Sequence, residues 1–285
     1  MISEKSIKLK KQMLRLQDFI IVIYEKRTKK KKICRNNILV MQNQTKTRKI
    51  IYVFLVTMIL FVVQNFASKF GELIADLFNY TMIDKDDIFM HISVHHVVQM
   101  IIALLIIFII GKTKKINFHL KPKVDKIGIL YTGIFTIVIL MYVFISYIIG
   151  YKLNTIAPYE YELNMINVLS SLGFQLLLSG TSEEILFRAL PITVFGAFEC
   201  RKDKNDYRLA IIIASMLFSI AHIEWTILPF AVSFSWFQLI YAFVLGLIYG
   251  VIYIKSKSII YPMLMHGLSN FLMVGVGYIF AIIMV

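Results

Sequence analysis

Seven stretches of apolar residues run along the chain: Ile50–Phe66, Ile88–Ile110, Ile127–Ile149, Ile166–Phe198, Leu209–His222, Ala231–Ile254 and Ser258–Val285. Runs of roughly 18 or more apolar residues are long enough to cross a bilayer. None shows the apolar–polar alternation of a membrane strand. A backbone without water must satisfy its own hydrogen bonds, which leaves helices. The pattern therefore predicts an all-α, polytopic membrane helical bundle of about seven transmembrane helices. The fourth stretch is anomalous. As one helix it would reach about 50 Å at ~1.5 Å per residue, against a hydrocarbon core of about 30 Å. Gly180 and Pro191 are candidate breaks. Thr181 and Glu184 have the spacing of a capping box, and an eighth helix results if the segment splits there.

The polar connections alternate in charge. Segment 68–87 holds Glu72, Asp76, Asp84, Asp86 and Asp87, and 151–164 holds Glu160 and Glu162. Segments 112–126, 200–208 and 255–257 are rich in Lys and Arg. Because basic residues collect on the cytoplasmic side, the N-terminus is expected in the cytoplasm and the C-terminus outside the cell membrane.

Composition sharpens this. With 58% hydrophobic residues and a mean hydropathy of +0.72, the chain is no soluble globular protein. The net charge of +14 is concentrated in residues 1–49, with 15 Lys and Arg against 3 Asp and Glu; the rest carries 16 against 14. These residues form a basic cytoplasmic extension, and 50–285 form the membrane domain. Lipid, not nucleic acid, is the partner expected for such a tail beside a first span. Within it Leu14–Tyr24 reads as an interfacial amphipathic helix. Met41, followed by a short basic flank and a span, is an alternative start. No signal peptide is visible. Cys34 and Cys200 fall in basic, cytoplasmic segments, so no disulfide is expected.

Against this apolar background a few polar residues carry the chemistry. Ionisable groups in a span are costly and mark function. Glu184 and Arg188 are four apart and share a helix face. Glu183 points about 100° away, free to take a proton from water. The structural alternative is a capping box with a surface ion pair, which leaves Glu183 without a role. His222 follows Phe218 by four residues; as a lone histidine it reads as interfacial. His266 and Asn270 share a face and can donate to a developing negative charge, or act as interhelical glue. Counted at ~1.5 Å per residue from the basic ends, His266 lies about 13 Å, His222 about 20 Å and Glu183 about 24 Å deep. The three are therefore expected to meet. His91, His95 and His96 look like a metal triplet, but are expected at the outer end of the second span, away from that site. Trp225 and Trp236 read as interfacial anchors. No phosphate-binding loop or nucleophile elbow is present.

Glu-Glu-x-x-x-Arg (183–188), Phe-x-x-x-His (218–222) and His-x-x-x-Asn (266–270), in this order, resemble the CPBP family. It comprises the CAAX-type prenyl endopeptidases and the bacteriocin-processing and self-immunity (Abi) proteins. Phe187-Arg188 and the stretch Gly246–Gly250 fit its texture; Ala189 stands where glycine is frequent. The resemblance covers about 166–280, which becomes the expected catalytic core. It implies an intramembrane endopeptidase acting on a membrane-associated peptide or protein, with Glu183 activating water and His222 holding it. His266 and Asn270 would stabilise the oxyanion, and Glu184 and Arg188 would support the site. A zinc held by Glu183, His222 and His266 is the alternative, disfavoured because no His-Glu-x-x-His helix occurs. Cleavage is expected near the cytoplasmic leaflet. A non-enzymatic immunity or receptor-scaffolding protein of the same fold is the second reading. A proton-relay transporter is the third, weakened by the lack of an internal repeat.

Overall fold

A computed structural model describes residues 46–198, 206–226 and 230–284. The chain divides into two units, one of 1–54 with 200–202 and one of 55–199 with 203–285. Of the first, only 46–54 are described, and they are helical. The segment Leu14–Tyr24, Met41, Cys34 and Cys200 lie outside the described residues.

The expected helices form. They are α1 (Lys46–Ala75), α2 (Met90–Lys114), α3 (Lys126–Lys152), α4 (165–198), α5 (Asp206–Ile220), α6 (Trp236–Ser256) and α7 (Ile260–Met284). Five of them, α1, α2, α3, α6 and α7, are long and apolar enough to cross a membrane. Their outward faces carry Val62, Phe66, Phe108, Ile137 and Ile240, all exposed. Such a surface suits lipid and would be untenable in water. The protein is a helical membrane protein.

Two expectations change. The fourth stretch does not split at Gly180. Helix α4 runs on through two π-helical turns, Phe174–Ser179 and Ile185–Ala189, separated by Gly180–Glu184. The capping box is absent: Ser179 has helical angles (φ −52, ψ −63), and the Thr181 hydroxyl donates to the Leu177 carbonyl at 2.7 Å. Pro191 sits in the first turn after the second π segment, where the backbone ladder is already shifted. In a bilayer a free helix end costs more than a π turn, because its orphaned carbonyls find no water. The sixth stretch, in turn, starts as a strand. Residues Glu224–Thr226 (β1) and Ala231–Ser233 (β2) pair antiparallel, Trp225 opposite Val232. Only after Ser235, whose hydroxyl accepts from Gln238 N at 3.4 Å, does α6 begin. The hairpin follows α5, whose 15 residues span about 22 Å, less than a hydrocarbon core of about 30 Å.

The core joins α3, α6 and α7 through Phe135, Ile139, Val143, Leu245, Tyr249, Ile252, Met265 and Phe280. Helices α4 and α7 cross at bare backbone. A Cβ on Gly180 would lie 2.7 Å from Gly267 N and 2.9 Å from Met263 O, and one on Gly267 would strike the Leu176 carbonyl. Small residues that let backbones touch supply the packing that lipid cannot drive. The sequence marks Gly180 as a break; the structure uses it as a crossing point. Gly180→Ala is expected to lower stability by about 1–3 kcal/mol through overpacking. A thermal midpoint in detergent equal to that of the wild type would remove the crossing from the argument.

Candidate functional site

The two π turns of α4 bracket Glu183 and Glu184, and π segments inside α-helices recur at functional sites. In and just before the stretch between them, Ser179, Ser182, Glu183 and Glu184 meet side chains of α2 or α7. The two glutamates part as the spacing predicts. Glu184 and Arg188 have no exposed side-chain surface, with Arg188 Nη1 2.9 Å from Glu184 Oε1. Glu183 keeps 18% of its side chain exposed, so water can reach it.

His266 of α7 bridges the pair. Its Nδ1 donates to Glu184 Oε1 at 2.8 Å, and its Nε2 faces Glu183 Oε2 at 3.7 Å. The ring is clamped by Tyr249, stacked at 5.4 Å and 24°, and meets Phe218 edge-on at 5.8 Å. Arg188 is clamped likewise, its guanidinium carbon 3.9 Å from the Phe218 ring centre and 5.3 Å from that of Tyr249. A cation between two aromatic faces recovers part of the desolvation cost of burial. One turn beyond His266, Asn270 Nδ2 donates to Ser179 Oγ at 3.0 Å.

His222 lies in the turn after α5. Its Nδ1 is 2.9 Å from the Phe218 carbonyl and its ring stands edge-on to Phe218 at 4.9 Å. It is close enough to act on Glu183 electrostatically. So Glu183, Glu184, Arg188, His266 and Asn270 form one connected cluster, and His222 flanks it.

The histidine triplet of α2 needs correction. His91 Nε2 pairs with Asp76 at 2.7 Å, and His95 Nε2 lies 3.2 Å from Gln99 Oε1. His96, turned about 100° from His95, points inward to the site expected to be remote. Its Nε2 lies 3.8 Å from Glu183 Oε1. Its Nδ1 lies 2.7 Å from Ser182 Oγ, whose hydroxyl is already donated to the Ser179 carbonyl at 3.0 Å. His96 Nδ1 must therefore be the donor. Each oxygen of Glu183 thus has an imidazole Nε2 beside it. The depth count brings Glu183 and His266 together but misses His96, because Glu183 sits near the middle of a long helix, beside the second turn of α2. Ser179, Ser182, Tyr249, Ser269 and Gln64, whose amide donates to the Leu186 carbonyl at 3.3 Å, also went unmarked. Their signal in the sequence is that each is a polar group in an apolar run.

For a metal, the two rings do not decide: His266 and His222 engage Nδ1, on Glu184 and on a backbone carbonyl, and each keeps Nε2 free. Among the described residues no group of three His, Cys, Asp or Glu is arranged to hold an ion.

Comparison with known proteins bears on one region. Residues 165–272 match the family model described as "Type II CAAX prenyl endopeptidase Rce1-like". The match begins at α4 and takes in Glu183, Glu184, Arg188, His222, His266 and Asn270. Neither the curated proteins nor the solved structures gave a match.

Proposed function

From the match of residues 165–272 to the type II CAAX prenyl endopeptidase Rce1-like family model, we propose that the chain is an intramembrane endopeptidase that hydrolyses a peptide bond of a membrane-associated substrate by a glutamate-activated water. The observation that carries this reading is the division of labour between the two glutamates. One is sealed with Arg188 and His266; the other is open to water and flanked by two imidazoles.

Glu183 takes a proton from water, and the hydroxide oxygen adds to the carbonyl carbon. His266 in its imidazolium form donates Nδ1–H to Glu184 and Nε2–H to the oxyanion, with Asn270 as second donor. Two carboxylates, Arg188 and the imidazolium then balance in charge, which a low-dielectric site requires. As the C–N bond breaks, Glu183 returns its proton to the leaving amine. His222 helps to hold the water.

This mechanism routes no step through a metal. Protein in nanodiscs, chelated exhaustively and containing well under one metal per chain by elemental analysis, is expected to turn over a quenched peptide at the untreated rate. Activity that vanishes and returns only with zinc would overturn the glutamate mechanism. Natural substrates are found by comparing membrane proteomes and released peptides of cells carrying the wild type or Glu183→Ala. Peptides that appear only with the wild type support the peptidase; identical profiles favour a binding protein of the same fold.

A further inference from the structure

A cavity of about 950 Å³ is lined at its inner end by Phe187 and by His96, whose Nε2 lies 3.8 Å from Glu183 Oε1. Its other walls gather at one end of the bundle. They include Lys69 and Glu72 near the end of α1, His91 at the start of α2, Ala221 and Glu224 after α5, and Val232 on β2.

The identity of that end can be read from charge. The opposite end is where Tyr253 donates to the Phe118 carbonyl at 2.9 Å and Ile259 N to the His119 carbonyl at 3.1 Å. It gathers Lys112, Lys114, Lys115, Lys121, Lys123, Lys126, Lys255 and Lys257, against Asp125. The cavity end is where Asn167 donates to Asp86 at 2.8 Å and His91 meets Asp76. Its basic residues are Lys69, Lys85 and Lys152, the first of them bound to Glu72 at 2.7 Å. Short connections rich in Lys and Arg stay in the cytoplasm. The cavity therefore opens away from it. The aromatic residues Trp225, Phe230, Phe234 and Trp236 around the hairpin, all exposed, suit a headgroup-level rim.

Building on the peptidase reading, we propose that this cavity is the substrate's route to Glu183 and that it opens on the extracytoplasmic side. The cut segment is then an apolar stretch of a peptide or protein presented at the outer surface, not a cytoplasmic chain end. This reverses the expectation of cleavage near the cytoplasmic leaflet. It follows from α5 being too short to close the outer end and from the hairpin standing in its place.

The route is testable without a known substrate. In a Cys34→Ser/Cys200→Ser background, single cysteines are placed at the cavity (Glu72→Cys, Ala221→Cys, Glu224→Cys) and at the lysine-rich end (Lys121→Cys). Intact cells are treated with a bulky, membrane-impermeant maleimide. The cavity cysteines are expected to label in intact cells, and Lys121→Cys only after permeabilisation. Cavity cysteines that label only after permeabilisation, or only after denaturation, overturn the route. A second arm separates it from the peptidase reading. Turnover of a quenched apolar peptide in nanodiscs is compared for Ala221→Cys before and after the maleimide. Loss of at least tenfold supports the route. Unchanged turnover by fully labelled protein overturns it while leaving the peptidase intact. Absence of turnover by the wild type itself counts against the peptidase, and the labelling result still stands or falls alone.

Discussion

Glu183→Gln is expected to lower peptide cleavage by about 10²- to 10⁴-fold, the range for loss of a general base, while folded yield stays at the wild-type level. The amide keeps the shape of the carboxylate but cannot accept the proton of water. Glu184 still answers the buried Arg188, and Glu183 lies 3.7–3.8 Å from its two imidazole neighbours, beyond direct hydrogen-bonding range, and keeps contact with solvent, so no hydrogen bond is lost. A merely structural glutamate gives the opposite result, with yield and activity falling together. The measurement is initial rate per folded molecule, with folded protein quantified by monodisperse elution in detergent. Folded Glu183→Gln that retains a substantial fraction of activity would remove the base from the mechanism.

His96 offers a smaller effect on the same axis. Its Nε2 faces Glu183 Oε1 as that of His266 faces Oε2, yet it lies on α2, outside the matched residues 165–272. His96→Asn is expected to reduce the rate by about tenfold and to shift the acid limb of the pH–rate profile, which reports the groups around the base. An unchanged profile with a uniform loss of folded protein would make His96 a packing residue bound to Ser182.

How far the sequence carries depends on which forces act locally. The spans were legible because a bilayer imposes one rule, a run of apolar residues long enough to cross it, and α1, α2, α3 and α7 obey it closely. The Glu184–Arg188 pair and the His266–Asn270 face were legible because helical spacing alone puts them together. What failed were positions decided between elements. Gly180 reads as a breaker by propensity, but its role is set by the backbone of α7 against it. The start of α6 was hidden because Ala231–Phe234 is as apolar as a span, and only pairing with Glu224–Thr226 makes it a strand. His96 was misplaced because depth was counted along straight helices from one surface. A 34-residue helix with two π turns has no such simple ruler.

The largest effect on stability is expected at Arg188. Arg188→Met should cost about 3–5 kcal/mol, the loss typical when one member of a buried ion pair is removed. The side chain has no exposed surface, and Glu184, equally buried, would be left with His266 alone to answer its charge. Methionine fills much of the volume between Phe218 and Tyr249 but carries no cation for their faces. Glu184→Gln is expected to cost less, because the amide oxygen still accepts from His266 and lies beside the Arg188 guanidinium, which keeps its two rings. The double variant Glu184→Gln/Arg188→Met removes both charges and should be more stable than Arg188→Met alone, a non-additivity that a mutant cycle reads directly. The measurement is the thermal midpoint in detergent for the four proteins. If Arg188→Met melts with the wild type, or the two losses simply add, the sealed pair is not what holds His266 in place. The orientation of His266 would then have to come from Tyr249 and Phe218, whose rings touch it on two sides without fixing which nitrogen faces Glu183.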